Sequence, residues 1–273
     1  MTVVGRHAPT PSGHLHLGNA LAFGAAWLSA RSQGGRLLLR IEDLDRGRAR
    51  AQVAVSQRED LLWLGLAWDE ETPAQSTRDY PLDGLPVYRC ACSRKQRLAG
   101  LCRCRSEPAK EGTWRFACPP GEVRFIDRAQ GPQSHVPGAD PILRRRNGEA
   151  AYPLAVVLDD ARDGVTEVVR GADLLAATAV QIRIAQCLDL AIPTYLHVPM
   201  LLGPDGRKLS KSHGSTELRA LRGAGWTAQD VWAVLLPMLG IEAGSLSAAA
   251  EVFCGDLIPV GPFTIGPDGQ PIT

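Results

Sequence analysis

The stretch that most restricts the fold is Gly5 to Asn19, GRHAPTPSGHLHLGN, set between the β-favouring residues Thr2 to Val4 and an uncharged run that continues through Trp27. Pro9 and Pro11 cannot continue a central ladder, so a strand entering this stretch has to end before them. The run that follows predicts a buried helix over Gly18 to Gln33, stopped by Gly34 and Gly35. Strand, tight turn and buried helix are the opening of an α/β fold. Gly18 lets a ligand approach the backbone where the first-turn N–H groups of a helix lack partners and the helix dipole favours phosphate. Histidines in such a turn can touch a phosphoryl group, although an ordinary turn with a satisfied histidine has the same sequence.

A second stretch far downstream separates these readings. Lys208-Leu209-Ser210-Lys211-Ser212 follows the glycine-rich Gly203-Pro204-Asp205-Gly206, and two lysines flanking a serine in a loop suit a polyphosphate. The turn Pro-Ser-Gly-x-x-His-x-Gly, with His16-Leu17-Gly18-Asn19, and the Lys208 to Ser212 loop resemble the two signature motifs of class I aminoacyl-tRNA synthetases, in the same order. GRHAPTPSGHLHLG, LRIEDLD and GVTEVVRGADLL are similar to the glutamyl branch of that class. The resemblance implies a Rossmann-like class I synthetase catalytic domain with an inserted zinc-knuckle lobe and a small C-terminal helical region. Two positions depart from the pattern: His7 replaces an aromatic residue common in relatives, and Asn19 stands where the class signature has its second histidine. Asparagine still donates a hydrogen bond, so activity is expected to survive.

The chain's 273 residues, 45% apolar, suffice for one large domain or two modest ones. A net charge of +1 gives no global pull toward nucleic acid, so RNA contact has to come from local basic patches. Met1 to Arg6 holds no apolar core of a signal peptide, and the uncharged run Leu15 to Ala30 is short for a bilayer, so no membrane partner and a cytoplasmic location are expected. Neither GxGxxG nor GxxxxGK[ST] occurs, so no dinucleotide fingerprint or P-loop explains the phosphate chemistry.

Arg36 to Ile41 predicts a short central strand that delivers Glu42, Asp43 and Asp45 at its carboxyl end, where open α/β sheets bind ligands. A solvated loop ahead of a helix from Ala49 to Leu64 is the competing reading of these acids. Between Tyr80 and Cys118 the pairs Cys90-Ala-Cys92 and Cys102-Arg-Cys104 lie nine residues apart. In a chain expected in a reducing compartment, such pairs read as a tetrahedral zinc site rather than disulfides. Cys118, Cys187 and Cys254 have no partner spacing and read as buried or incidental thiols. The resembled family carries a zinc knuckle here, built from Cys-x-Cys, a tyrosine and a cysteine before arginine. Cys90, Cys92 and Cys104 match it, and Cys102 replaces the missing tyrosine. Arg89, Arg94, Lys95, Arg97, Arg103 and Arg105 decorate this lobe; a solvated face explains them as well as an RNA backbone does, and the resemblance favours contact with the acceptor end.

Pro141 to Arg146, Asn147-Gly148 and Glu149 to Leu158 predict a β-hairpin that carries Tyr152 and ends at Asp159-Asp160. A strand over Val165 to Val169 then delivers Arg170 at its end, ahead of a helix from Asp173 to Leu188. There the arginine can take a carboxylate in a bidentate pair, or pair with Asp173 at the helix start. Tyr195 to Leu202 predicts the last core strand. Thr216 to Leu221 and a capping box at Thr227-Ala-Gln-Asp230 begin two helices, and the residues after Cys254 read as a loose tail. The expected division is 1–87 and 141–205 for the two catalytic halves, 88–140 for the inserted lobe, and 206–273 for the lysine loop and helical region.

The resemblance implies that Arg6, Ala8, Thr10, Glu42, Tyr152 and Arg170 line a glutamate pocket, with Glu42 on the ammonium group. It assigns His16, Gly18, Asn19 and Lys211 to ATP, with His16, Lys208 and Lys211 catalytic, and Mg²⁺ travelling with the ATP phosphates. No stretch remains for an anticodon-binding domain, so the expected acceptor is the queuosine base in the anticodon of tRNA(Asp), served by a monomer. The alternatives are the catalytic part of an enzyme that charges tRNA(Glu), and a paralogue that binds RNA or protein without chemistry.

Overall fold

The structure, a computed structural model, describes residues 2–209 and 216–272. Strand β1 (Val4–His7) ends ahead of Pro9 and Pro11, and the turn feeds helix α1 (Leu17–Ser32). β2 (Arg36–Leu39) then lies parallel to β1, with Val4 opposite Arg36 and His7 opposite Leu39. α2 (Ala51–Trp63) crosses to the two-residue β3 (Glu70–Glu71), parallel to β2. α1 carries no charge before Arg31 and is buried along most of its length, as a helix that is apolar all round has to be.

The chain then forms β4 (Val87–Cys90), α3 (Arg94–Leu98), β5 (Thr113–Phe116), β6 (Val123–Asp127), β7 (Gly131–His135) and β8 (Ile142–Arg144). β4, β5 and β8 make an antiparallel sheet that carries the cysteine lobe. β6 leaves that lobe and pairs in parallel with a later core strand, while β7 folds back on β6. Strand pairing therefore cuts across the expected boundaries: part of 88–140 joins the core sheet, and β8, just beyond 140, joins the lobe.

α4 (Tyr152–Arg162), β9 (Glu167–Gly171), α5 (Leu175–Cys187) and β10 (Thr194–Val198) complete the core, in the order β7-β6-β10-β9. The two half-sheets meet where β1 runs beside β9, joined by the Thr166 N–H donating to the Val4 carbonyl at 2.9 Å. The order β3-β2-β1 followed by β9-β10-β6 reverses at that junction, and such switch points open a crevice at the strands' carboxyl ends.

The predicted hairpin is half right. Asn147-Gly148 does turn the chain, with Gly148 at φ +89°, but the returning arm is a single bridge between Arg144 and Ala150. Residues from Tyr152 onward are helical instead, because Pro153 suits a first helical turn and cannot donate to a ladder. The last core strand is also split: β10 ends at Val198, and β11 (Leu201–Leu202) belongs to another sheet. After α6 (Leu218–Gly223), α7 (Ala228–Met238) and α8 (Leu246–Val252), the expected loose tail forms β12 (Phe263–Ile265) and β13 (Pro271–Ile272). β12 pairs in parallel with β11, which anchors the tail to the core, and Ile265 is fully buried. α7 has the predicted Thr227–Asp230 capping box, and its Trp232 lies so close to α1 that a Cβ on Gly24 would come within 2.6 Å of the indole. Among the described residues no helix is long and apolar enough to cross a membrane.

Candidate active site and cysteine centre

A cleft of about 640 Å³ opens at the carboxyl ends of β1 and β9. Arg6, Ala8, Thr10, His16, Gly18, Asn19, Glu42, Tyr152, Arg170 and Lys208 all line it, although they come from β1, the α1 turn, the end of β2, α4, β9 and the loop after β11, where Lys208 bridges back to Leu202. Lys211 and the rest of its serine-lysine motif from Ser210 lie outside the described residues.

The turn into α1 is built by its own side chains. His16 Nδ1 accepts the Gly18 N–H at 3.1 Å, and Asn19 Oδ1 accepts the His16 N–H at 3.1 Å. This is a reciprocal cap, so the expectation of an open N–H at Gly18 is corrected: His16 takes it. Because Nδ1 accepts, the proton of the neutral ring sits on Nε2. Gly18 leaves the His16 ring room to cap the helix, since a Cβ there would lie 3.1 Å from the ring and push it aside. Gln57, which the sequence did not single out, donates to the carbonyls of Thr10 and Gly13 at 3.0 and 2.7 Å and fixes the turn to α2.

Two arginines dominate the floor. Arg6, 4% exposed, donates from Nε to Asp160 at 3.2 Å and from Nη1 to the Val169 carbonyl at 3.2 Å. Arg170, 6% exposed, donates from Nε to His197 Nε2 at 3.1 Å, from Nη1 to the Tyr152 hydroxyl at 3.2 Å and from Nη2 to Thr178 Oγ1 at 2.8 Å. Its alternative partner, Asp173, pairs with Lys208 instead. Glu42 is buried 3.5 Å from Arg40, so the solvated-loop reading of the acidic cluster fails at this residue. Asp43 is bound to Ser76, and Asp45 to Arg48 and Arg145.

Beneath the floor is an ion network absent from the sequence reading. Arg40 is wholly buried and reaches Asp160 at 2.6 Å and Asp163 at 2.9 Å. Asp160 thus holds Arg6 and Arg40 together. Burial pushes Asp160 upward, but Arg6 and Arg40 outweigh it and hold the carboxyl below its ordinary range. Glu42 goes the other way: burial raises it, and the two arginines offset this only in part. An anion whose charge is undercompensated is a natural partner for an incoming cation. The usable sequence signal was an arginine and two aspartates at positions that the surrounding apolar residues mark as core.

In the lobe, Cys90 ends β4, a capping box at Ser93 and Gln96 starts α3, and Cys102 and Cys104 follow. The four Sγ atoms lie within 4.8 Å of one another, with Cys90 to Cys102 at 3.8 Å and Cys92 to Cys104 at 3.6 Å. Zinc bound tetrahedrally to sulfur at ~2.3 Å needs sulfurs ~3.8 Å apart, so the cluster fits the ion. The Cys92 thiol is pushed up to about 12 by Cys104, then by Cys102 and burial, as crowded thiols are without a cation. Gly112, at φ +138°, closes the lobe; a Cβ there would lie 2.3 Å from the Cys90 carbonyl. Of the other cysteines Cys118 is buried, Cys187 half-buried and Cys254 exposed.

The family described as tRNA synthetases class I (E and Q), catalytic domain, matches residues 2–87 and 93–247. The chain is 41% identical to a glutamyl-Q tRNA(Asp) synthetase of Symbiobacterium thermophilum, over 94% of this chain and 91% of that one. It is 45% identical to one of Pseudomonas syringae pv. tomato, over 80% and 79% respectively. Among solved structures it resembles a glutamate tRNA ligase of Elizabethkingia meningosepticum, with a TM-score of 0.77 and 20% identity over 96% of this chain and 67% of that one, a likeness of fold.

Proposed function

The chain belongs to the glutamyl-Q tRNA(Asp) synthetase family, within the class I catalytic domains for glutamate and glutamine, and from that premise we propose that it activates glutamate with ATP and passes it to the queuosine base of tRNA(Asp). The observation that carries this reading is the meeting, in one cleft, of a buried acid, Glu42, with two buried guanidinium groups, Arg6 and Arg170. An amino acid with a carboxylate side chain has the complementary charges.

In the proposed complex, Arg170 takes the side-chain carboxylate with Tyr152 beside it, and Glu42 takes the ammonium group, whose charge offsets the burial of its own. Arg6, Ala8 and Thr10 close the pocket. The α-carboxylate attacks the α-phosphorus of ATP in line, the bond to pyrophosphate breaks, and glutamyl-adenylate remains. His16 Nε2–H, Asn19, Lys208 and Lys211 meet the phosphates, and Gly18 gives them room; Mg²⁺ accompanies the nucleotide as charge compensation. Catalysis comes from position and from preorganised donors, with no covalent enzyme intermediate. An acceptor on the queuosine base then attacks the activated carbonyl and AMP leaves. Cys90, Cys92, Cys102 and Cys104 would hold Zn²⁺ as a staple for the lobe, whose arginines and lysine meet RNA phosphates.

The purified protein is expected to catalyse glutamate-dependent ATP–pyrophosphate exchange without tRNA. Arg170→Ala should raise the KM for glutamate strongly and narrow the preference over glutamine, while lysine rescues in part because it keeps charge and loses the planar fork. Absence of exchange at saturating substrates, or an Arg170→Ala enzyme with both KM and discrimination intact, contradicts the reading.

A further inference from the structure

Arg170 has a partner that no ligand role accounts for. His197 is fully buried on β10, next to β9, with its backbone directly opposite Arg170 in the register of the two strands. Its Nε2 lies 3.1 Å from Arg170 Nε, and its Nδ1 lies 2.6 Å from Asp127 Oδ2. An arginine only donates, so His197 Nε2 has to be the acceptor, and its single ring proton sits on Nδ1, facing the carboxylate. Asp127 in turn cannot swing away: its Oδ1 accepts the backbone N–H groups of Ala129, Gln130 and His197 at 3.1, 2.9 and 3.2 Å. The loop after β6 thereby fixes the aspartate, the aspartate fixes the imidazole tautomer, and the imidazole fixes one edge of the guanidinium.

We infer that His197, held by Asp127, is a positioning residue that sets the fork of Arg170 for the substrate carboxylate, and that a proton on its Nε2 would release that fork. The inference rests on the glutamate reading of Arg170. The logic is geometric. Thr178 and the Tyr152 hydroxyl meet the two terminal nitrogens, and among the described residues His197 alone meets Nε; the Thr178 hydroxyl, 3.3 Å from the same Nε2, closes the set that holds the guanidinium plane. A protonated ring would turn an N–H toward another N–H and break that contact.

The groups around the ring favour the neutral form. Asp127 from β6 is the anion; Arg170 from β9 and Arg6 from β1 are the cations, with Asp160 of α4 paired to Arg6. Tyr195, on the same strand, stacks at 6.1 Å, and Tyr152 reaches the ring only through Arg170. Burial drives the imidazole below its ordinary range; Asp127 opposes this, and Arg170 and Arg6 reinforce it.

The test is tRNA-independent ATP–pyrophosphate exchange by the full chain, followed from about pH 7.5 down to about pH 4.5, below the ordinary histidine range because the buried ring takes its proton late, with Arg170→Ala run alongside. His197→Asn keeps a donor near Asp127 and loses the acceptor for Arg170; His197→Gln can keep the acceptor. His197→Asn should raise the KM for glutamate roughly tenfold, with the KM for ATP and kcat nearly unchanged. His197→Gln should retain the wild-type KM at neutral pH and lose the rise in glutamate KM that the wild type shows in acid. The inference is overturned if His197→Asn binds glutamate as the wild type does while Arg170→Ala does not. It is also overturned if His197→Gln repeats the wild-type acid rise, or if both variants lose ATP and glutamate affinity together, which would indicate a packing role. An Arg170→Ala enzyme with unchanged glutamate KM would remove the premise itself.

Discussion

His7, in the last position of β1, shows how one side chain couples the stability of the fold to pH. It is fully buried, with its ring edge-on to Phe23 at 5.2 Å and 72°. Burial, with the nearby charge of Arg6, lowers its pKa to about 3. The unfolded chain binds a proton on this histidine below pH ~6.5, and the native state refuses it until about pH 3, so stability is lost as pH falls through that window, at up to ~1.4 kcal/mol per unit. His7→Phe, an apolar ring of similar size, should flatten the slope: between about pH 7 and about pH 5 the wild type should lose roughly 2 kcal/mol more in urea unfolding than the variant. Equal losses would mean that His7 takes a proton in the folded state. His197 is buried in the same sense and contributes to the slope in both proteins.

At the scale of elements, the sequence was most legible where a turn residue or a charge has one local meaning. The α1 entry, the Asn147-Gly148 turn, the Thr227 capping box and the carboxyl-end position of Glu42 follow from prolines, glycines and caps acting within a few residues. α4 was misread because YPLAVVL is a continuous apolar run, which fits a buried strand as well as a helix; Pro153 was the deciding residue. β12 was missed because its partner in the core, β11, lies some sixty residues upstream, and pairing over that distance leaves no local mark; β13 only folds back on β12. Arg40, Asp127, Asp160 and His197 were missed for the same reason: each has its meaning only from an element far along the chain. The cysteine lobe is the opposite case, since twelve residues separate Cys90 from Cys102 and Cys92 from Cys104, and spacing alone brings the thiols together. The purified protein is expected to carry one equivalent of zinc by metal analysis. Cys90→Ser and Cys104→Ser should lose it and lose transfer to tRNA, while the exchange reaction, in a cleft that no cysteine lines, keeps much of its rate. Metal-free protein with full transfer activity would exclude the staple.

For the whole molecule, the governing feature is the junction of two half-sheets. Neither half holds the site alone: Arg6 and Glu42 come from the first, Tyr152 and Arg170 from the second, and Asp160 links Arg6 to Arg40 across the seam. The same buried charges that close the seam therefore orient the cleft. With a net charge of +1, the molecule has no field to draw RNA from a distance, so recognition of tRNA has to be local and specific. The chain should then discriminate sharply between acceptors once glutamate is activated. The most direct measurement is transfer of labelled glutamate to tRNA(Asp) carrying queuosine, to the same tRNA lacking it, and to tRNA(Glu). Labelling only of the queuosine-bearing tRNA(Asp) is the predicted result; labelling of tRNA(Glu), or equal labelling of both forms of tRNA(Asp), would contradict it.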